Sequence, residues 1–301
     1  MTLVDSGARW FGICSLFLAV PVLAKTAEGN VAVGNGIRIH YVEAGDRGAK
    51  RTILFVPGWS MSTAVWEGQL ARFASAAHVV SIDPRSQGHS TVTTRFNTPE
   101  QRAQDLHRVI QSLKLTNIVL VGWSQGVQDV AAYAAAFEGD GVSGYVLVDA
   151  PVASGPADAV AHPGELQQQL ERFAMYEQFP KQYLAGMMNA IIRSPEGRKR
   201  IDDYVNIGLR TPPDVGITML MMDFIAKDRR AALAKFNRPA LIIASAQSEE
   251  IEAQREMSRH IKDARFETID NAGHAVFLDQ PQRFYELLAG FAEQLQSKAS
   301  E

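Results

Sequence analysis

Two rhythms of apolar positions run along the chain. The first is a set of short runs that are apolar at nearly every position: Thr52–Val56, Val79–Ile82, Ile118–Val121, Tyr145–Val148 and Ala240–Ala244. Runs of this length without alternation predict strands buried on both faces, as in a parallel sheet. The second rhythm is helical. Leu106, Val109, Ile110 and Leu113 recur at three- and four-residue spacing behind Thr98-Pro99, a cap followed by a favourable first residue, which predicts a helix over 98–113. The alanine-rich stretch 126–137 and the segment from Pro281 to about Leu295 read the same way. Alternating stretches at Val31–Val33 and Ile37–Val42, joined by Gly34-Asn35-Gly36, predict an opening β-hairpin.

Strand and helix therefore alternate up to Asp149. From Ala150 to about Lys235 no strand-like run occurs, and helical segments are expected around Glu165–Phe179, Lys181–Ile192 and Ile217–Ala226. Strand signals return at Ala240–Ala244 and Arg265–Ile269. This order predicts an α/β fold, a doubly wound, mostly parallel sheet, with a helical cap inserted between two strands. The expected division is 25–154 and 236–301 for the core and 155–235 for the cap. Gly139-Asp140-Gly141-Val142-Ser143-Gly144 matches a dinucleotide fingerprint letter for letter. It closes a helix and precedes a strand, the reverse of what such a fingerprint needs, so it reads as a loop.

Residues 1–24 stand apart. Arg9 precedes an uncharged stretch, Trp10–Ala24, that ends Val22-Leu23-Ala24. The stretch is too short to span a bilayer and has the form of a secretory signal, which places the mature protein in the periplasm or outside the cell. The single cysteine, Cys14, lies within it, so no disulfide or thiolate chemistry is expected of the mature chain. A net charge of −3 over 301 residues gives no reason to expect nucleic acid or a charged surface as partner. No His/Cys/Asp clustering suggests a metal, and no cofactor is expected.

The candidate chemistry centres on Gly122-Trp123-Ser124-Gln125-Gly126, which lies between a predicted strand and a predicted helix. That context makes G-x-S-x-G a nucleophile elbow, with glycines where the turn is too tight for side chains and the serine hydroxyl lifted to a helix N-terminus. A serine needs a base to take its proton and an acid to orient that base. Of seven histidines, His274 follows the last predicted strand in Asn271-Ala272-Gly273-His274, beside a glycine and at the carboxyl edge of the sheet where Ser124 and Asp149 also fall. His89, also in a loop, is its rival.

With these residues in view the chain resembles the α/β-hydrolase superfamily over nearly all of its length beyond the N-terminal segment. Phe55-Val56-Pro57-Gly58-Trp59 stands where that family has a strand followed by His-Gly. Asp83-Pro84-Arg85-Ser86-Gln87-Gly88-His89-Ser90 resembles its D-x-R-G-x-G-x-S loop, and Ala272-Gly273-His274 with Asp279-Gln280-Pro281 resembles its terminal histidine loop. The resemblance implies an oxyanion hole from the backbone N–H groups of Trp59 and Gln125. Pro57 departs from the family pattern and removes a supporting side chain. The family also places its acid after the strand read here as Ala240–Ala244, where Ser248 stands instead of aspartate. Asp149 is the first candidate for the acid, and Glu250 or Glu249 the alternative.

The methionine-rich insertion would roof the site, and Trp123, Met221 and Met222 are the expected substrate contacts. The function these features imply is that of a serine hydrolase acting on a small ester or lactone. Cofactor-free perhydrolysis of the haloperoxidase type in the same site, or ligand binding by a degenerate member of the fold, are the competing readings.

Overall fold

The computed structural model describes residues 26–299; the expected signal segment and Cys14 lie outside the described residues. In chain order come β1 (Thr26–Gly34), β2 (Ile37–Ala44), β3 (Thr52–Val56), α1 (Glu67–Phe73), β4 (His78–Ile82), α2 (Pro99–Leu113), β5 (Ile118–Trp123), α3 (Gln125–Phe137) and β6 (Val142–Val148). Helices α4 (Pro156–Ala161), α5 (Pro163–Gln178), α6 (Pro180–Ile191), α7 (Pro195–Arg198), α8 (Ile201–Gly208) and α9 (Pro213–Leu220) follow. The chain then forms β7 (Ala240–Ser245), α10 (Ile251–Arg259), β8 (Ala264–Ile269), α11 (Val276–Asp279) and α12 (Pro281–Ala299). The strands make one sheet in the order β1-β2-β4-β3-β5-β6-β7-β8. β1 and β2 pair antiparallel, and β2 joins β4 antiparallel. Every pairing from β4 through β8 is parallel. The fold is thus α/β, doubly wound and mostly parallel, with the opening hairpin as its antiparallel edge.

The apolar runs are buried on both faces because alternate side chains enter two different cores. Ile53 and Phe55 of β3, Val119 and Val121 of β5, and Leu241 and Ile243 of β7 face α1, α12 and the inserted helices. Leu54, Leu120 and Ile242 face α2, α3 and α10. Trp66 anchors the first core. It stacks on Phe277 with ring centroids 3.9 Å apart and on Phe55 at 4.6 Å. Thr98 caps α2 as its sequence suggests, its hydroxyl accepting from Gln101 N–H.

Several elements differ from the sequence expectation. α1, α4, α7 and α10 are short helices with few apolar residues, while α8 buries Ile201, Tyr204 and Val205 at helical spacing within only 8 residues. The helix expected over 217–226 is two structures. α9 ends at Leu220, and Met221–Ile225 forms a π-helical turn closed by Ala226 N–H to Met221 O at 2.8 Å. The extra residue per turn aims Asp223 inward, where it is fully buried. Periodicity alone gives no sign of such a change in winding.

Phe277 is 1% exposed and packs against both Trp66 and Trp123. Phe277→Ala is expected to cost about 3–5 kcal/mol, measured as a lower urea midpoint with an unchanged m-value.

Candidate active site

The site is built on the carboxyl ends of β5 and β6 and on the loop after β8. At the end of β5 the chain turns directly into α3, and Ser124 takes φ 56°, ψ −121°, a conformation strained for any residue but glycine. Close packing holds it there. A Cβ on Gly122 would stand 2.4 Å from Gly126 O, and one on Gly126 would stand 2.6 Å from Val56 O. Ser124 N–H donates to Val148 O at 3.0 Å, which ties the turn to the end of β6. The G-x-S-x-G spacing is therefore a packing requirement as well as a chemical one.

Asp149 follows β6 with a positive φ of 49° and is 2% exposed. Its Oδ2 lies 2.8 Å from His274 Nδ1. An ionised carboxylate only accepts, so Nδ1 carries the proton and Nε2 is left free as an acceptor. Asp149 Oδ1 accepts from Ser245 N–H at 2.8 Å, which fixes the carboxylate across the gap between β6 and β7. Gln254 of α10 reaches both Ser248 Oγ at 3.1 Å and Asp149 Oδ1 at 3.4 Å. Ser248, at the position where the family pattern has its acid, thus belongs to the support of Asp149. Glu249 and Glu250 are exposed. Desolvation by the surrounding protein raises the Glu250 pKa, although its side chain opens onto a cavity; the His274 charge opposes this and Asp149 adds to it.

The histidine loop is pinned at each residue. Ser245 Oγ donates to Ala272 O, and Gly273 N–H donates to Asp279 at 2.7 Å. Ala275 N–H donates to Ile191 O at the end of α6. The Trp123 indole N–H donates to His274 O at 3.0 Å, and the two rings lie 5.4 Å apart. Trp123, expected to line the pocket, is instead 1% exposed in the core beneath this loop. It links the residue before Ser124 to His274. His89 does not join the group. Its ring is exposed beside His40, and its N–H donates to Asp83.

Trp59 and Gln125 flank Ser124. A Cβ on Gly58 would fall 3.0 Å from Ser124 Cβ, so the loop after β3 runs against the elbow. The Trp59 indole N–H donates to Gly216 O of α9 at 2.8 Å. Gln87 braces the loop after β3: it donates to Gly58 O and accepts from Ser60 N–H at 2.7 Å. Sequence reasoning passed over Gln87, although its place inside the Asp83–Ser90 motif was the available signal. The rest of that motif is structural. Asp83 accepts from Thr63 N–H and His40, and Arg85 makes a two-pronged bond to Asp105.

A cavity of about 320 Å³ opens beside Glu250, between α4, α5 and the π-helical turn. Phe173, Leu220, Phe224 and Ile225 supply apolar wall. Met221 and Met222, the expected contacts, are half-buried residues of the same turn, and the wall is formed by their neighbours instead. Winding as a π-turn alters which side chains of this segment share a face. Among the described residues no group of His, Cys, Asp or Glu is arranged to hold a metal ion.

A buried charge cluster lies behind the elbow. Arg102 of α2 bonds Asp129 of α3 at 2.8 Å and Asp223 at 2.6 Å. Burial pushes the Asp129 carboxyl up to about 7 against the pull of Arg102, and burial also raises Asp223. Burial opposes the Arg102 charge, but the two carboxylates outweigh it and hold its pKa up.

A family model described as "Alpha/beta hydrolase family" matches residues 53–287. A bifunctional esterase/perhydrolase of Acinetobacter calcoaceticus is 33% identical over 123 residues, covering 40% of this chain and 44% of that protein. The match therefore spans less than half the length of that relative. An AB hydrolase superfamily protein of Bacillus subtilis is 24% identical over 82% of this chain and 93% of its own length. Among solved structures, an esterase from Exiguobacterium antarcticum superposes with a TM-score of 0.79 at 21% identity, covering 88% of this chain and 98% of its own. A bromoperoxidase from Bacillus anthracis also gives 0.79 at 21% identity, over 89% and 100%.

The Gly122 contact is with backbone, which cannot rotate away. Gly122→Ala is expected to destabilise the protein by roughly 1–3 kcal/mol, seen as a lower thermal midpoint.

Proposed function

The chain belongs to the alpha/beta hydrolase family, and from that premise we propose that it cleaves a small carboxylic ester or lactone through an acyl-enzyme on Ser124. The observation that carries the reading is the 2.8 Å contact between His274 Nδ1 and Asp149, set beside the strained serine turn. Ser124 Oγ attacks the acyl carbon and its proton passes to His274 Nε2. The imidazolium so formed is held by Asp149. Charge on the carbonyl oxygen meets the N–H groups of Trp59 and Gln125, a contribution of roughly 3–4 kcal/mol per donor. His274 returns the proton to the departing alcohol. It then deprotonates a water, which attacks the acyl carbon, and the acid leaves as Ser124 regains its proton.

Asp149 is assigned as the acid on geometry and burial. It reaches Nδ1 directly and its other oxygen is fixed by Ser245 N–H, whereas the exposed Glu250 side chain opens onto the cavity. The ligand-binding reading loses its motive, since a carboxylate does face His274. A second catalytic reading draws on the esterase/perhydrolase relative: hydrogen peroxide in place of water would release a peracid from the same acyl-enzyme. We further propose that residues 1–24 direct export, so that the mature chain works in the periplasm or outside the cell. Sequencing the N-terminus of the protein recovered from culture is expected to start at Lys25.

A fluorophosphonate probe is expected to label the wild type and not Ser124→Ala; labelling of both would rule out Ser124 as nucleophile. With p-nitrophenyl acetate, Asp149→Asn is expected to lower kcat by about 10³–10⁴-fold, while Glu250→Gln stays close to wild type. The reverse result would move the acid to Glu250.

A further inference from the structure

We propose that Asp223, from the π-helical turn of the inserted helices, is a positioning residue for the oxyanion hole, acting through the side chain of Gln125. The inference rests on the serine-hydrolase reading above.

The first two turns of α3 carry three polar side chains at 0–2% exposure: Gln125, Gln128 and Asp129. A helix this deeply buried has no need of them for packing, and burying them is costly unless each is paired. Gln128 ties α3 to the loop after Asp149, donating to Pro151 O at 2.8 Å and accepting from Ala153 N–H at 3.0 Å. Gln125 and Asp129 are four residues apart, on one face of the helix. Both are held by the same carboxylate. The Gln125 amide donates to Asp223 Oδ2 in a short contact. Asp129 is reached through Arg102, which bonds Asp223 Oδ1 at 2.6 Å. One side chain therefore fixes both ends of the first helical turn, the turn whose leading N–H belongs to Gln125 and follows a strained Ser124.

The inserted segment is shaped to deliver that carboxylate. The π-turn aims Asp223 inward, and Arg229 holds the turn by donating to Asp223 O at 2.8 Å and Met222 O at 2.9 Å. Well-packed apolar side chains would hold these helices together at least as well as buried ion pairs. What they would not do is bond the amide of the residue after the nucleophile. π-turns of this kind recur at functional sites for the same reason, since they redirect one side chain without ending the helix. Gln125 Oε1 is buried and makes no hydrogen bond among the described residues, so the amide is held from its nitrogen side.

That last point supplies the test. Asp223→Ala removes the anchor and is expected to lower kcat for p-nitrophenyl acetate by roughly ten- to a hundredfold. KM should stay close to wild type, and affinity for phenylboronic acid, which forms a tetrahedral anion on the serine, should fall in parallel. Asp223→Asn can offer its amide to a turned Gln125 Oε1, and most of kcat should return, although the charge facing Arg102 does not. Gln125→Met keeps the backbone donor and the Arg102 ion pairs. It should match Asp223→Ala, and the double variant should be no slower than either single one. This variant also tests the contact if Asp223→Ala does not fold.

Additive effects, an Asp223→Asn as slow as Asp223→Ala, or a lower thermal midpoint with kcat unchanged would each overturn the proposal and leave Asp223 as a structural partner of Arg102. If the wild type takes up no fluorophosphonate at Ser124, it is the serine-hydrolase reading that fails. Normal labelling with kcat unchanged in Asp223→Ala sinks this inference alone.

Discussion

The close approach of β3, β5 and the start of α3 is the constraint on which the rest of the site depends. Gly126 sits against the Val56 carbonyl and Gly122 against Gly126, and the serine between them is forced into a conformation that costs of order 1–3 kcal/mol. Two buried cores, one on each face of the parallel sheet, over-determine this turn and absorb that cost. The reward is geometric. The hydroxyl stands clear of the sheet at a helix N-terminus, and backbone from the loop after β3 is pressed beside it.

Everything else at the site is arranged around a fixed serine. The histidine loop has almost no freedom, because four successive residues, Ala272 to Ala275, each bond to a different part of the molecule: β7, Asp279, the elbow tryptophan and α6. Asp149 is likewise held on two sides, by the strand beside it and by the imidazole. An imidazole so restrained is held in one direction by its surroundings; in the mechanism proposed above it would need no reorganisation during reaction. Two glutamines hold the positions that depart from the family pattern. Gln87 braces the loop that lacks a histidine at position 57. Gln254, bonded also to Ser248, braces the Asp149 carboxylate at the end of β6.

The inserted helices do more than cover the site. They enclose the cavity beside Glu250, bond Trp59 through Gly216, hold the histidine loop through Ile191, and meet the elbow helix through Asp223. Movement of this layer would be felt at three of the site's components together. The same segment thus carries apolar cavity wall at Phe224 and Ile225 and, at Asp223, the carboxylate that meets α3.

How much of this was legible in the chain follows from the range of each interaction. Local chemistry was readable: glycines at 122 and 126, the Thr98-Pro99 helix start, apolar runs from β3 to β7, and a histidine beside a glycine after the last strand. Each depends on neighbours within a few positions, and the elbow motif has few other uses in a strand-to-helix context. The choice between Asp149 and Glu250 was not readable, because both follow strand ends and only the pairing of β6 with β7 decides which carboxylate meets the imidazole. Trp123 was misjudged for a similar reason. A strand residue faces the cavity or the core according to what packs on each side of the sheet. The winding of Met221–Ile225, which turns Asp223 to the distant Arg102, likewise left no mark in the local sequence pattern. Sequence by itself determined most strands, the longer helices and the strand–turn–helix context of Ser124. Tertiary packing alone decided which carboxylate meets His274, the cavity wall and the bracing of the site, because these rest on contacts between separate elements brought together only by the fold.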